Sequence, residues 1–126
     1  MKILPNILPL WSIYRSISSL KDLKIKVEEA KAAGDDALER KYILQATDRW
    51  GKDIARRFNT TINIKGAENI PTEGPVLYVS NHQGYADIPV CLAVLNKIQM
   101  GFIAKESLIK IPVFGPWLLR IGSITI

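Results

Sequence analysis

Two side chains suited to proton transfer, His82 and Asp87, lie in the run NHQGYAD at residues 81–87. Histidine titrates near neutral pH, so it can take the proton of an alcohol while the oxygen attacks an acyl carbonyl. A carboxylate on the other ring nitrogen fixes the imidazole tautomer and stabilises the imidazolium that forms. Both residues also have an ordinary interpretation, because aspartate is a common helix N-cap and a lone loop histidine is usually a polar surface residue.

A strand and a helix are predicted to position this pair. Val76–Val79 is short, continuously apolar and β-prone, as expected of a strand covered on both faces. The histidine follows at the carboxyl end of this strand, where α/β folds place their sites. Pro89 fits only the first turn of a helix, so that helix should begin at residue 86 or 87. Gly84 would allow the loop to fold back and bring the two side chains together.

Residues 1–58 are predicted to form two or three helices. Gly34 can end one helix in the left-handed conformation, and Asp35 is a suitable N-cap for the next. The apolar stripe of the first helix includes aromatic residues and fits a membrane surface and the protein's own core equally well. Its members are Ile3, Leu4, Ile7, Leu8, Leu10, Trp11, Tyr14 and Ile17. A line in the last helix repeats every four positions through Leu38, Tyr42, Ala46, Trp50, Ile54 and Phe58.

After Asn59 the hydrophobic period changes to two, since Ile62 and Ile64 alternate with polar residues as in a half-buried strand. The later elements are expected to be a helix over 88–96, a strand near 98–104, a helical stretch over 106–119 broken at its prolines, and a strand over 123–126. This alternation predicts an α/β fold, with a helical hairpin (1–58) followed by a partial α/β domain (59–126) that holds a parallel or mixed sheet. The chain stops inside the last predicted strand, so we expect an incomplete protein.

Composition narrows the possible partners. The net charge of +5 favours an anionic partner such as a phospholipid surface, a phosphorylated substrate or an acyl-CoA. Nucleic acid is not expected, because the aromatic residues of the basic helix lie on its buried line and leave no stacking platform. Cys91 is the only cysteine and His82 the only histidine, so we expect no disulfide, no metal site and no cofactor.

Several blocks of the second half resemble the glycerolipid acyltransferases, in particular the 1-acylglycerol-3-phosphate acyltransferases. Asn81 and His82, followed by Asp87, are similar to the first motif of that family, and PVLYVS at 75–80 resembles the strand before it. The other similar blocks are IKGAENIP at 64–71, FIAKESL at 102–108, IPVFG at 111–115 and IGSI at 121–124. Gly84 stands where the family often has serine, and the end of the second motif and the whole third motif would follow Ile126.

The resemblance implies an acyltransferase of phospholipid biosynthesis. It would move a fatty acyl group from acyl-CoA or acyl carrier protein to the free hydroxyl of 1-acylglycerol 3-phosphate, without a covalent acyl-enzyme. His82 would be the general base and Asp87 its partner, while Asn81, Gln83 and Lys105 would contact the substrate. The resemblance also implies that the N-terminal helices lie on the cytoplasmic face of the cell membrane as a peripheral or monotopic unit.

Two other functions compete with this one. Cys91 lies one helical turn after Asp87 and could serve with His82 as the thiol nucleophile of a thioesterase-like site. Cysteines flanked by small apolar residues are more often inert core residues. The second alternative is a non-catalytic protein that binds a membrane surface or a partner through its basic helices.

Overall fold

The protein is mostly helical. The computed structural model describes the backbone of residues 4–126 and the side chains from Leu10 onward. The α-helices are α1 (Leu4–Ser18), α2 (Lys21–Ala32), α3 (Asp36–Arg57), α4 (Asp87–Val94) and α5 (Phe114–Arg120). The strands are β1 (Ile103–Ala104) and β2 (Ile124–Thr125), and 3₁₀ turns span Ala67–Asn69 and Glu106–Lys110. No helix in this described part is long and apolar enough to cross a membrane.

The boundary between α2 and α3 confirms the predicted turn. Gly34 has a φ of +70°, a left-handed conformation that costs glycine little. The carboxylate of Asp35 accepts a hydrogen bond from the backbone N–H of Leu38 at 3.1 Å, so Asp35 caps α3. Acidic residues in the first turn of α3 and Arg56 and Arg57 in its last turn match the helix dipole.

The core lies between the helices, where α3 packs against α1, α2 and α4. The predicted apolar line of α3 is correct at its centre, since Ala46, Trp50 and Ile54 are buried, but wrong at Phe58, which is exposed. A strict four-residue spacing advances about 40° per step around a helix of 3.6 residues per turn, so such a line leaves the buried face. The buried face of α3 therefore also includes Ile43 and Thr47.

Helix α1 has apolar residues on two sides, one of which is buried and the other exposed. Ile17 is buried in the core, whereas Leu10, Trp11 and Tyr14 are exposed. The first part of the predicted stripe, including Ile3 and Ile7, lies outside the described side chains. The described half of α1 therefore uses one face for packing and leaves an apolar, aromatic face open.

Two predicted strands are wrong. Residues 61–65 and Val76–Val79 form neither a helix nor a strand, and Leu77 and Val79 are 81% and 87% exposed. A strand is stabilised by the ladder of a neighbouring strand, and in the described chain neither segment has one. A local run of apolar residues therefore did not predict a strand here, because the helices supply most of the apolar surface of the core.

The last third of the chain confirms part of the predicted α/β pattern. β1 and β2 pair in parallel, with Ile103 opposite Ile124 and Ala104 opposite Thr125. Parallel neighbours need a crossover, which is supplied by the 3₁₀ turn and α5. The two strands are shorter than predicted, and they form the only sheet within residues 4–126. The division of the chain into domains at residue 58 stays a prediction.

A buried hydroxyl joins α1 to α3. The Ser16 side chain donates to Oδ2 of Asp53 at 2.6 Å, and the same carboxylate pairs with Arg56 and Arg57. Burial alone would raise the pKa of Asp53, but the hydrogen bonds from Ser16, Arg57 and Arg56 outweigh it and lower the pKa to about 2. This carboxylate therefore stabilises the docked position of α1 in its charged form.

Acid should weaken the fold through Asp53. Because its pKa is about 2 in the folded chain and its ordinary value is 3.8, the unfolded state binds the proton first as the pH falls. The stabilisation is fully present above about pH 5 and is lost towards about pH 2. Urea unfolding across this range should show a flatter pH dependence in Asp53→Asn than in the wild type. Glu29→Gln, which removes an exposed carboxylate of α2, is the control and should follow the wild type; an unchanged slope in Asp53→Asn would contradict the assignment.

Candidate active site

The loop before α4 is folded around one carboxylate. Asp87 is the first residue of α4, and Ala86 occupies the N-cap position. Oδ2 of Asp87 accepts hydrogen bonds from the backbone N–H groups of Gln83 at 2.7 Å and Gly84 at 3.1 Å. Asp87 is therefore not an ordinary N-cap, since its side chain reaches back to the loop rather than forward to the first turn of the helix.

His82 is the third group on this carboxylate. Its Nδ1 lies 2.7 Å from Oδ2 of Asp87, so the loop does fold back as predicted, with Gly84 in a conformation of negative φ. The His82 side chain is 78% exposed, and with Nδ1 bound to the carboxylate, Nε2 is the ring nitrogen available to a substrate. The arrangement can accept a proton at Nε2 and stabilise the resulting imidazolium through Nδ1.

The charge of Asp87 is set mainly by the backbone. Hydrogen bonds from the N–H groups of Gly84 and Gln83, with a further one from His82, hold the pKa of Asp87 below its ordinary value. The carboxylate is therefore ionised at neutral pH, the state in which it can orient an imidazole. The sequence did not reveal these amide contacts, because backbone donors leave no signature in residue type.

The other predicted site residues surround this pair less closely. Asn81 is exposed next to His82, and Gln83 contributes its backbone N–H to Asp87. Lys105 directly follows β1 and is exposed. None of the three side chains hydrogen-bonds to the pair in the described structure, so their predicted contact with substrate stays a prediction. Among the described residues, no group of three or more His, Cys, Asp or Glu side chains could hold a metal ion.

The environment of Cys91 disfavours the thiol alternative. Burial raises the pKa of the Cys91 thiol, and the nearby charge of Asp87 raises it further. The thiolate is the nucleophilic form of cysteine, and a raised pKa reduces its population at neutral pH. Cys91 is thus best described as a half-buried packing residue of α4.

Helix α4 is attached to α3 along its length. Pro89 and Leu92 of α4 are buried, and α3 and α4 make the most extensive contact between any two described elements. Beyond the end of α4, Nδ2 of Asn96 donates to Oδ1 of Asp48 at 2.8 Å. This contact joins residues far apart in sequence, so no local pattern could have predicted it. It means that Asp87 is positioned by a helix whose own position depends on α3.

The sequence profile of the family described as Acyltransferase matches residues 61–126, just over half of the chain. This stretch includes both His82 and Asp87. The chain therefore belongs to the Acyltransferase family.

Two curated relatives agree with this assignment. The chain is 42% identical over 55 residues to a chloroplastic 1-acyl-sn-glycerol-3-phosphate acyltransferase of Arabidopsis thaliana, which covers 43% of this chain and 15% of the relative. It is 35% identical over 81 residues to a chloroplastic 1-acyl-sn-glycerol-3-phosphate acyltransferase of Brassica napus, which covers 64% of this chain and 23% of the relative. The matched segments thus span less than a quarter of either relative. No solved structure matches the chain significantly.

Gly84 should accept a side chain. A Cβ at this position would meet no heavy atom within 4 Å, and the backbone N–H that binds Asp87 is kept in every residue except proline. Gly84→Ser should therefore change the free energy of unfolding by less than about 0.5 kcal/mol. Gly66→Ser is a matched control that should cost about 1 kcal/mol, because Gly66 has a φ of +77°. Urea unfolding of both variants measures the difference, and equal costs would show that the loop is tighter than described.

Proposed function

We propose that this chain carries the acid/base pair of an acyl transfer to an alcohol. The observation that carries the proposal is the 2.7 Å contact between Nδ1 of His82 and Asp87, combined with the exposure of the imidazole. An unactivated hydroxyl is a poor nucleophile at neutral pH, and a positioned histidine removes this obstacle by taking its proton during attack. Membership of the Acyltransferase family supports an acyl group as the group transferred.

His82 alone can carry the proton through both steps of the reaction. The acceptor oxygen forms a bond to the carbonyl carbon of a thioester while its proton moves to Nε2 of His82. The tetrahedral intermediate then collapses and breaks the carbon–sulfur bond, and the departing thiolate takes the proton from Nε2. Asp87 stabilises the imidazolium between the two steps. Acyl-CoA and acyl carrier protein both present such a thioester, and either would serve as donor.

A direct transfer agrees with the environment of Cys91, the half-buried thiol of α4. The raised pKa of Cys91 argues against an acyl-cysteine intermediate. For the acceptor we propose 1-acylglycerol 3-phosphate, the compound after which both relatives are named. Lys105, Asn81 and Gln83 are the residues proposed to contact the substrate, since Lys105 offers a cation for the phosphate and the two amides offer hydrogen bonds.

We also propose that the chain works at a membrane surface, where its lipid substrate resides. The exposed side of α1 presents Leu10, Trp11 and Tyr14, and the guanidinium of Arg15 lies 4.9 Å from the centre of the Trp11 ring. Aromatic and apolar side chains next to basic ones are typical of helices that lie in the membrane interface. Of the two faces of the membrane, we propose the cytoplasmic one, as the family resemblance implies.

Removing the base should abolish most of the activity. We expect His82→Ala to lower the rate of transfer from labelled acyl-CoA to 1-acylglycerol 3-phosphate in detergent micelles by about 10²–10⁴-fold, the usual contribution of a positioned base. Asp87→Asn should also lower the rate, because the amide cannot stabilise the imidazolium. Lys97→Ala, an exposed residue in the loop after α4, is the control and should retain the wild-type rate.

The outcomes distinguish the acyltransferase from the non-catalytic, surface-binding alternative. Transfer that survives in His82→Ala would contradict the general-base assignment. A wild-type chain that binds lipid vesicles but transfers no acyl group would favour the non-catalytic, surface-binding alternative. Repeating the assay with acyl carrier protein as donor distinguishes the two thioesters.

The aromatic face of α1 should contribute to vesicle binding. We expect the double substitution Trp11→Ala and Tyr14→Ala to weaken partition into vesicles of phosphatidylcholine and phosphatidylglycerol by roughly tenfold or more, because each ring loses about 1 kcal/mol or more of burial energy. Phe58→Ala removes an exposed aromatic ring outside α1 and is the control. Sedimentation of vesicles with bound protein measures the effect. Equal partition of the wild type and the double variant would contradict this role of α1.

A further inference from the structure

Helices α3 and α4 lie very close together at Gly51. A Cβ on Gly51 would lie 2.6 Å from the carbonyl oxygen of Pro89 and 2.8 Å from the backbone nitrogen of Ala93. Both distances are shorter than van der Waals contact, and both involve backbone atoms, which cannot rotate away as a flexible side chain can. Any side chain at residue 51 must therefore push α4 away from α3.

From this geometry we infer that Gly51 is a positioning residue for the pair formed by His82 and Asp87. The inference deepens the proposed function and rests on it. Neither His82 nor Asp87 is among the nearest neighbours of a Cβ placed on Gly51. Gly51 acts through α4, whose first residue is Asp87 and whose third residue, Pro89, carries the atom nearest to that Cβ.

A short path joins the helix contact to the reactive nitrogen. Pro89 is buried, and it lies only two positions after Asp87, in the same helical turn. The carboxylate of Asp87 in turn holds the N–H groups of Gln83 and Gly84 and the ring of His82. A displacement of α4 therefore moves the group that orients the imidazole, and the loop before α4 is largely exposed.

A second contact makes the position of α4 specific. Asp48 lies one turn before Gly51 on α3, and it accepts the hydrogen bond from Asn96 beyond the carboxyl end of α4. The close approach at Gly51 sets the separation of the helices near Asp87, and the hydrogen bond at Asp48 holds the other end. Helix α3 is thus part of the support of the site, although it lies in the N-terminal half of the chain.

Gly51→Ala tests the inference against a matched glycine variant. We expect a loss of kcat of about tenfold or more with KM changed less than about threefold, because misplacing a catalytic group affects the reacting geometry more than binding. Independently of activity, the carboxyl titration of Asp87, followed by NMR, should move towards the ordinary pKa as its contacts with the Gln83 and Gly84 amides loosen.

Gly34→Ala is the control for lost stability. Gly34 has a φ of +70° and open space around it, so alanine there strains the backbone without touching α4. It should lower the midpoint of thermal unfolding by about 4 °C but leave the Asp87 titration and kcat as in the wild type. If the two variants lower stability alike and neither changes the titration, Gly51 is a packing residue only and the inference is wrong.

Failure of the proposed function would be recognised separately. If the wild-type chain transfers no acyl group, the acyltransferase proposal fails, and the NMR titration still decides whether Gly51 positions Asp87. If Gly51→Ala does not fold, Asn96→Ala is measured instead, because it releases the other end of α4. A shift of the Asp87 titration in folded Asn96→Ala supports the positioning by α3, and an unshifted titration overturns it.

Discussion

The candidate site depends on one carboxylate oxygen. Oδ2 of Asp87 receives two backbone N–H groups and the Nδ1 atom of His82, so a single acceptor organises a loop that belongs to no sheet within residues 4–126. Backbone donors also keep this carboxylate charged, as the lowered pKa of Asp87 indicates. The electrostatic state of the pair and its geometry therefore have the same physical origin.

That carboxylate is positioned by helices and not by a sheet. In many α/β proteins the carboxyl ends of buried strands hold the reactive residues. Here the residues before the loop are exposed, and α4 packs on α3 through the gap left by Gly51. Because α3 is also joined to α1 through Ser16 and Asp53, the helices of the N-terminal half support the loop that holds His82.

Whether a prediction agreed with the structure depended on how far apart in the sequence the interacting residues lie. Helix ends were predicted well, since the cap at Asp35 and the left-handed Gly34 depend on neighbours in sequence. The start of α4 was predicted for the same reason, from the tolerance of the first helical turn for Pro89. The strand at Val76–Val79 was predicted wrongly, because a strand needs a partner that the local pattern does not specify.

The sequence by itself determined the family, since blocks around His82 and Asp87 carry a resemblance to it and the match over residues 61–126 confirmed the family. It also predicted that the loop between the two side chains could fold back and bring them together. Only the tertiary structure decided that they meet through Oδ2 and that Gly51 sets the position of α4. These features arise from burial and from contacts between residues distant in sequence, which no local spacing encodes.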